Sequence, residues 1–290
     1  MKDFYYLCTV FIKLIYRMDA KKILFIAQEI TPYLPNTEIA SICRNLPQGI
    51  QERGREIRTF MPRFGMINER RNQLHEVIRL SGMNLIIDDT DHPLIIKVAS
   101  IQAARMQVYF IDNDDFFQRK TMIADENGTE FEDNDERSIF FVRGVLETVK
   151  KLRWIPDMIH CHGWMSALTA LYIKRMYKDD PCLQNAKIIY SVYNDDFKSS
   201  FDPRFAEKLL QDGVMADDLK NIKDGADFVG LTKLAVDFSD GIIQGSEKIN
   251  PEVAEYIASK QDKPFLPYQS SESFIDTYNE FYDVVLGTNN

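Results

Sequence analysis

Residues 22–61 read KILFIAQEITPYLPNTEIASICRNLPQGIQERGREIRTFM. KILFIA (22–27) is a short unbroken apolar run, the pattern of a strand buried on both faces of a parallel sheet. QEITPYLPNTE (28–38) interrupts it with two prolines and polar residues and reads as a loop. Over 39–53 apolar residues recur at helical spacing and stop at Gly54, a residue suited to a helix C-terminus. EIRTFM (56–61) is a second strand, halted by Pro62. Strand, helix and strand make a βαβ unit with a right-handed crossover.

The same alternation recurs downstream. PDMIHCH (156–162), KIIYSV (187–192) and residues 241–244 read as strands, and 167–177, 228–238 and 251–259 as helices. Residues 135–152 form a helix with acids at its start, Lys150 and Lys151 at its end, and Ile139, Phe140, Val142, Val145, Leu146 and Val149 on one side. Strands alternating with helices predict an α/β fold, a doubly wound parallel sheet with helices on both faces. Two stretches depart from this. Residues 74–112 hold short runs (LHEVIRL, MNLIIDD, LIIKVAS, MQVYFID) divided by turn residues such as 88–93, which predicts a meander of short strands. Residues 113–136 are polar and acidic and read as loop. FIDTYNEFYDVVL (274–286) places Phe274, Tyr278, Phe281 and Tyr282 at helical spacing, so a terminal helix should pack back on the domain. The expected division is an upstream extension at 1–17, one domain over 18–265 and a helical tail over 266–290.

Composition sets limits on partners. The 290 residues carry 35 basic and 44 acidic side chains, a net charge of −9, with 45% apolar and 27% charged residues. That suits a globular protein and leaves no electrostatic footprint for nucleic acid or an anionic membrane. Glycine is scarce, 13 of 290, so glycine-rich phosphate loops are not expected. Cys8, Cys43, Cys161 and Cys182 lie far apart, which fits free thiols in a reducing, cytoplasmic compartment. MKDFYYLCTVFIKLIYR (1–17) faintly resembles a signal peptide. Asp3 and Lys13 spoil that pattern, no small-x-small cleavage site follows, and the run is too short to span a membrane. A start codon placed too early is the preferred reading and a membrane-directed N-terminus the alternative.

Ligands of open parallel sheets bind at the carboxyl ends of strands. The first such end offers Thr31 and Pro32 before a helix opening near Asn36, Thr37 and Glu38. Helix N-termini attract anions, but no glycine occurs between Met18 and Gln48, and Glu38 already answers the positive helix end. A capped helix without phosphate is the preferred reading. The second end is His160-Cys161-His162-Gly163-Trp164, with both histidines on one face of the strand. No third ligand is near, so no metal is expected. Sugar contact and hydrogen-bonded core histidines are both open. The third end is Tyr193-Asn194-Asp195-Asp196-Phe197, whose adjacent acids suit general bases or capping groups, capping being the commoner use. The acidic stretch 125–136 lacks calcium-loop spacing because Gly128 comes too early.

Together these stretches resemble the N-terminal catalytic domain of bacterial glycogen synthase and plant starch synthase. The resemblance rests on KKILFIAQEITPYL, LPQGIQERGREIRTFMPRFG, VYFIDNDDFFQR (108–119), FEDNDERSIFFVRGVLE (131–147), PDMIHCHGWMSAL (156–168) and KLAVDFSDGII (233–243), in that order. It implies a Rossmann-like domain, the first half of a GT-B glycosyltransferase that moves glucose from ADP-glucose to an α-1,4-glucan or malto-oligosaccharide without a further cofactor. It also marks departures. The family's Lys-x-Gly-Gly-Leu element is here Pro35-Asn36-Thr37-Glu38-Ile39, its His-x-His-Asp-Trp has Gly163 for the acid, and its Thr-Val-His-Asn is Ser191-Val192-Tyr193-Asn194. The family's second domain should begin where this sequence stops. The implied activity is therefore weak or absent in the lone chain, with a separate chain as a candidate partner; a non-catalytic glucan-binding module is the alternative. No catalytic residue is assigned. The expected substrate cleft comprises Thr31, Pro32, His160, His162, Trp164, Tyr193 and Asn194, with the Trp164 and Tyr193 rings offered to sugar.

Overall fold

The opening βαβ unit forms as read. The structure, a computed structural model, describes residues 20–211, 213–223, 225–270 and 273–288; the reading of residues 1–17 lies outside them. Strand β1 (Lys22–Ala27) is buried along nearly its whole length. Helix α1 (Glu38–Glu52) starts where the Thr37 hydroxyl accepts the Ala40 N–H, and Gly54, at φ +88°, follows its end. Strand β2 (Glu56–Pro62) returns parallel to β1, with Ile23 opposite Ile57 and Phe25 opposite Thr59.

The meander follows as β3 (His75–Glu76), β4 (Met83–Ile87), β5 (Thr90–Ile101) and β6 (Met106–Asp112). The tight turn is only Asp88-Asp89, both at positive φ. Thr90 to Pro93, expected as turn, belong to β5 and pair with β4. The acidic loop contains a helical turn, α2 (Asp114–Phe117), nucleated because the Asn113 side chain accepts the N–H groups of Asp115 and Phe116. Helix α3 (Asn134–Lys151) leads to β7 (Met158–His162). The helix expected at 167–177 is shorter, a 3-10 turn at Trp164–Ser166 and then α4 (Thr169–Lys174). Then come β8 (Lys187–Val192), the short α5 (Phe205–Leu209), α6 (Phe228–Phe238), β9 (Gly241–Gln244), α7 (Pro251–Ala258), β10 (Phe265–Leu266) and α8 (Phe274–Leu286). The division expected at 265/266 falls inside β10, which pairs with β9.

The sheet runs β10-β9-β8-β7-β1-β2-β6-β5-β3, with β4 paired to β5. β1, β2, β6 and β7 to β10 are parallel; β5 is antiparallel to its neighbours. From β1 the order proceeds one way through β2 and β6, and from β7 the other way through β8 to β10. The reversal lies between β1 and β7, the place where open α/β sheets hold ligands.

Alternation along each strand builds two cores. Ile23, Phe25, Met158, Ile189 and Ile243 face α1 and α8, packing with Leu46, Ile50, Tyr278, Phe281 and Tyr282. Leu24, Ile26, Ile159, Cys161, Ile188 and Tyr190 face the opposite way, into the larger core with α3, α4 and α6. The terminal helix packs back as its aromatic spacing predicts. Its approach depends on glycine: a Cβ at Gly49 would lie 2.5 Å from the Ile275 side chain, and one at Gly241 2.7 Å from Val285. Arg55 fastens it, donating from Nε to Asn279 Oδ1 at 2.6 Å and from Nη2 to Asp283 Oδ2 at 2.9 Å. Among the described residues no helix is long and apolar enough to cross a membrane.

Candidate active-site crevice

At the reversal point, Gln28 at the end of β1 donates its N–H to the His162 carbonyl at the end of β7 (3.2 Å). The chain then turns at Gly163, φ +82°, which aims the Trp164 and Met165 N–H groups at the crevice. Side chains of this protein occupy both. Trp164 N–H donates to Asp195 Oδ2 (3.0 Å) and Met165 N–H to Gln28 Oε1 (3.2 Å). Gly163 makes room for them: a Cβ there would stand 2.9 Å from Gln28 Oε1 and 3.2 Å from Asp195 Oδ2. The carboxylate that the family motif carries at this position would collide with that arrangement, and Asp195 brings a carboxylate to the same spot from β8.

Acids ring the crevice. Glu29 is buried, accepting from Gln28 Nε2 (3.2 Å) and from the Thr37 hydroxyl (2.6 Å). Glu38 accepts from the Ser246 hydroxyl, whose oxygen also receives the Asn194 N–H at 3.1 Å. Asp196 is held by Asn250 Nδ2 at 2.8 Å. Burial pushes the Asp195 carboxyl up to about 7; the Trp164 N–H opposes the shift, and the charges of Glu29 and Asp196 add to it. A folded-state pKa above the unfolded value means that the native state keeps its proton longer than the unfolded state does. Stability contributed here is therefore present in acid, falls as pH rises from about 4, and stays lost above about 7. Asp195→Asn keeps an acceptor for Trp164 and removes the charge. It is expected to match wild type only below about pH 4, to exceed it by about 1–2 kcal/mol at pH 5, and by roughly 3–4 kcal/mol at pH 8 in urea unfolding. A pH-independent difference would refute the assignment.

The structure corrects part of the expected cleft. His160 and His162 do share a face, but it is the face covered by α1 and α8, and both are fully buried. His160 Nδ1 pairs with the Tyr282 hydroxyl and Nε2 with the Ser191 hydroxyl, both at 2.7 Å; His162 Nδ1 pairs with the Tyr193 hydroxyl at 2.7 Å. Burial drives both pKa values down, His162 to about 3, so the pair is neutral. Trp164 is 1% exposed, its indole packed against Phe197 and Phe201, and Tyr193 is 1% exposed beside Gly245. Neither ring offers a face to sugar, because the 3-10 turn tucks Trp164 under the loop that follows β8. The accessible members are Pro32 and Asn194, with Thr31 half-buried and its hydroxyl donated to the Ala40 carbonyl (3.2 Å). Of the altered loop, Pro35, Asn36, Thr37 and Glu38 are exposed and Ile39 is core.

Sequence reasoning placed Gln28 and Glu29 at the first strand end without giving them a role, missed Ser246, and preferred a cap to a general base for Asp195. The available signal was the glycine at 163 together with an acid after the third strand. Among the described residues no group of three or more His, Cys, Asp or Glu is placed to hold a metal. Cys43 and Cys161 are buried free thiols, the latter pushed up to about 12 by burial and so inert.

The model of the starch synthase catalytic domain matches residues 22–263, the whole span of strands that flank the crevice. The chain belongs to the starch synthase catalytic domain family. A glycogen synthase of Chlorobium limicola is 34% identical over 194 residues, covering 67% of this chain and 40% of that protein. The glycogen synthase of Chlorobaculum parvum is 31% identical over 245 residues, covering 84% of this chain and 49% of that protein. The chain thus spans between two-fifths and half the length of these curated relatives. The catalytic domain of starch synthase IV from Arabidopsis thaliana, solved with ADP and acarbose, superposes with a TM-score of 0.69 at 19% identity, over 87% of this chain and 52% of that one. That likeness is one of fold, and it agrees with the parallel α/β domain expected from the sequence.

Proposed function

We propose that this starch synthase family domain works in glucosyl transfer from ADP-glucose to an α-1,4-glucan, as the first sheet domain of a two-domain GT-B site. The observation that carries the reading is the family match across all strands bordering the reversal between β1 and β7, the place where open α/β sheets hold ligands. A second domain would supply the cationic side of the donor site. This chain faces the crevice with Glu29, Glu38, Asp195 and Asp196, and its backbone donors at Trp164 and Met165 are already used.

Donor affinity should follow that charge. Calorimetry of the chain alone is expected to give an ADP-glucose Kd weaker than ~1 mM. Glu38→Gly removes one exposed carboxylate screened by water and should tighten binding by less than about fivefold. Micromolar affinity in wild type would overturn the electrostatic argument. The functional test is incubation of the purified protein with labelled ADP-glucose and glycogen. Slow incorporation above a heat-denatured control is expected. No incorporation at saturating donor, with or without a candidate second-domain chain, would overturn the transferase reading in favour of a glucan-binding module.

A further inference from the structure

Helices α1 and α8 touch where Gly49 meets Ile275. Beside that contact, toward the start of α1, they enclose a cavity of about 200 Å³ between Glu38 and Asn45 of α1, Tyr268 and Gln269 of the segment after β10, and Phe274 and Tyr278 of α8. Residues 38 and 45 lie two turns apart on one face of α1, and 274 and 278 one turn apart on α8, so helical periodicity brings each pair to the same wall. The volume is below the roughly 300–1,000 Å³ usual for a drug-sized ligand, too small for a nucleotide and suited to a single ring.

The lining is aromatic and hydrogen-bonding at once. Phe274 and Tyr278 stand edge to face, ring centroids 5.6 Å apart, and the Tyr278 ring is backed by His160. Tyr268 and Phe274 are half-buried. Asn45 and Gln269 each bring a donor and an acceptor, and the Glu38 carboxylate accepts only. Its bond from Ser246 ties the cavity to the rim of the crevice. A ring with apolar faces and a girdle of hydroxyls satisfies all of these groups, whereas the carboxylate disfavours phosphate.

We propose that this cavity is a pyranose subsite that holds one glucose unit of an α-glucan beside the crevice. The sugar's identity rests on the reading in the preceding subsection; the cavity's chemistry does not. Glu38 borders both this cavity and the acidic rim, through the Ser246 hydroxyl that also receives the Asn194 N–H.

The test is calorimetric titration of the full chain with maltotriose, for wild type, Tyr268→Ala, Asn45→Ala and the distant surface control Gln102→Ala, with thermal unfolding of each to confirm folding. Wild type and the control should bind alike, and each cavity variant should weaken binding by about tenfold or more. Binding absent in wild type, or unchanged in both folded cavity variants, overturns the subsite, even if the chain transfers glucose. Cavity-dependent binding without glucosyl transfer upholds the subsite and sinks the transferase reading instead.

Discussion

Tyr282→Ala is expected to cost about 4–8 kcal/mol of folding stability. The ring is fully buried between β7 and α8, and truncating a buried aromatic costs about 3–5 kcal/mol. The same change strands His160 Nδ1, which the Tyr282 hydroxyl engages at 2.7 Å, and an orphaned buried polar atom adds about 1–3 kcal/mol. Against a typical total of about 5–15 kcal/mol, that is a large share. Tyr282→Phe keeps the ring and should lose only about 1–2 kcal/mol. Urea unfolding of the three proteins measures both. A Tyr282→Ala protein within 1 kcal/mol of wild type would mean that α8 is not part of the cooperative core.

Lys208→Met comes next, with an expected loss of about 3–5 kcal/mol. The Lys208 ammonium, its side chain 3% exposed, contacts Asp135 Oδ2 at 2.8 Å, Glu136 Oε1 at 2.7 Å and Asp202 Oδ2 at 3.0 Å. These contacts hold α5 to the start of α3. Asp135 is wholly buried, and burial raises its pKa despite the lysine. Without the ammonium that carboxyl rises further and costs most where the unfolded state is ionised. The loss should therefore be large at pH 8 and shrink as pH falls below about 4, where Asp135 becomes protonated in the unfolded state as well. Adding Asp135→Asn to Lys208→Met should recover much of it. A loss equal at both pH values would show that packing of the lysine stem, not its charge, holds the elements together.

The sheet was legible because its signals are local. KILFIA, KIIYSV and the acid-to-base gradient of α3 each identify an element without knowledge of its neighbours. The terminal helix was legible for the same reason, through the spacing of Tyr278, Phe281 and Tyr282. What failed depended on contacts between distant segments. Trp164 at a strand's carboxyl end reads as a cleft residue until Phe197 and Phe201 close over it. His160 and His162 read as ligand-facing until a helix more than a hundred residues later supplies Tyr282. The plug of Gln28 and Asp195 at the Trp164 and Met165 N–H groups joins three strand ends, and no spacing rule within one stretch of sequence reports it.

The seat of α8 on the opening unit also orders events in time. Ile23, Phe25, Leu46 and Ile50 belong to residues made early, yet the helix that covers them is 274–286. At about 5–20 residues per second, a ribosome needs on the order of 10–50 s to travel from one to the other. Throughout that interval the nascent chain carries an uncovered apolar sheet face, the kind of surface that holdase chaperones bind. Arg55, waiting just before β2 for Asn279 and Asp283, makes its ion pair only once α8 has left the exit tunnel.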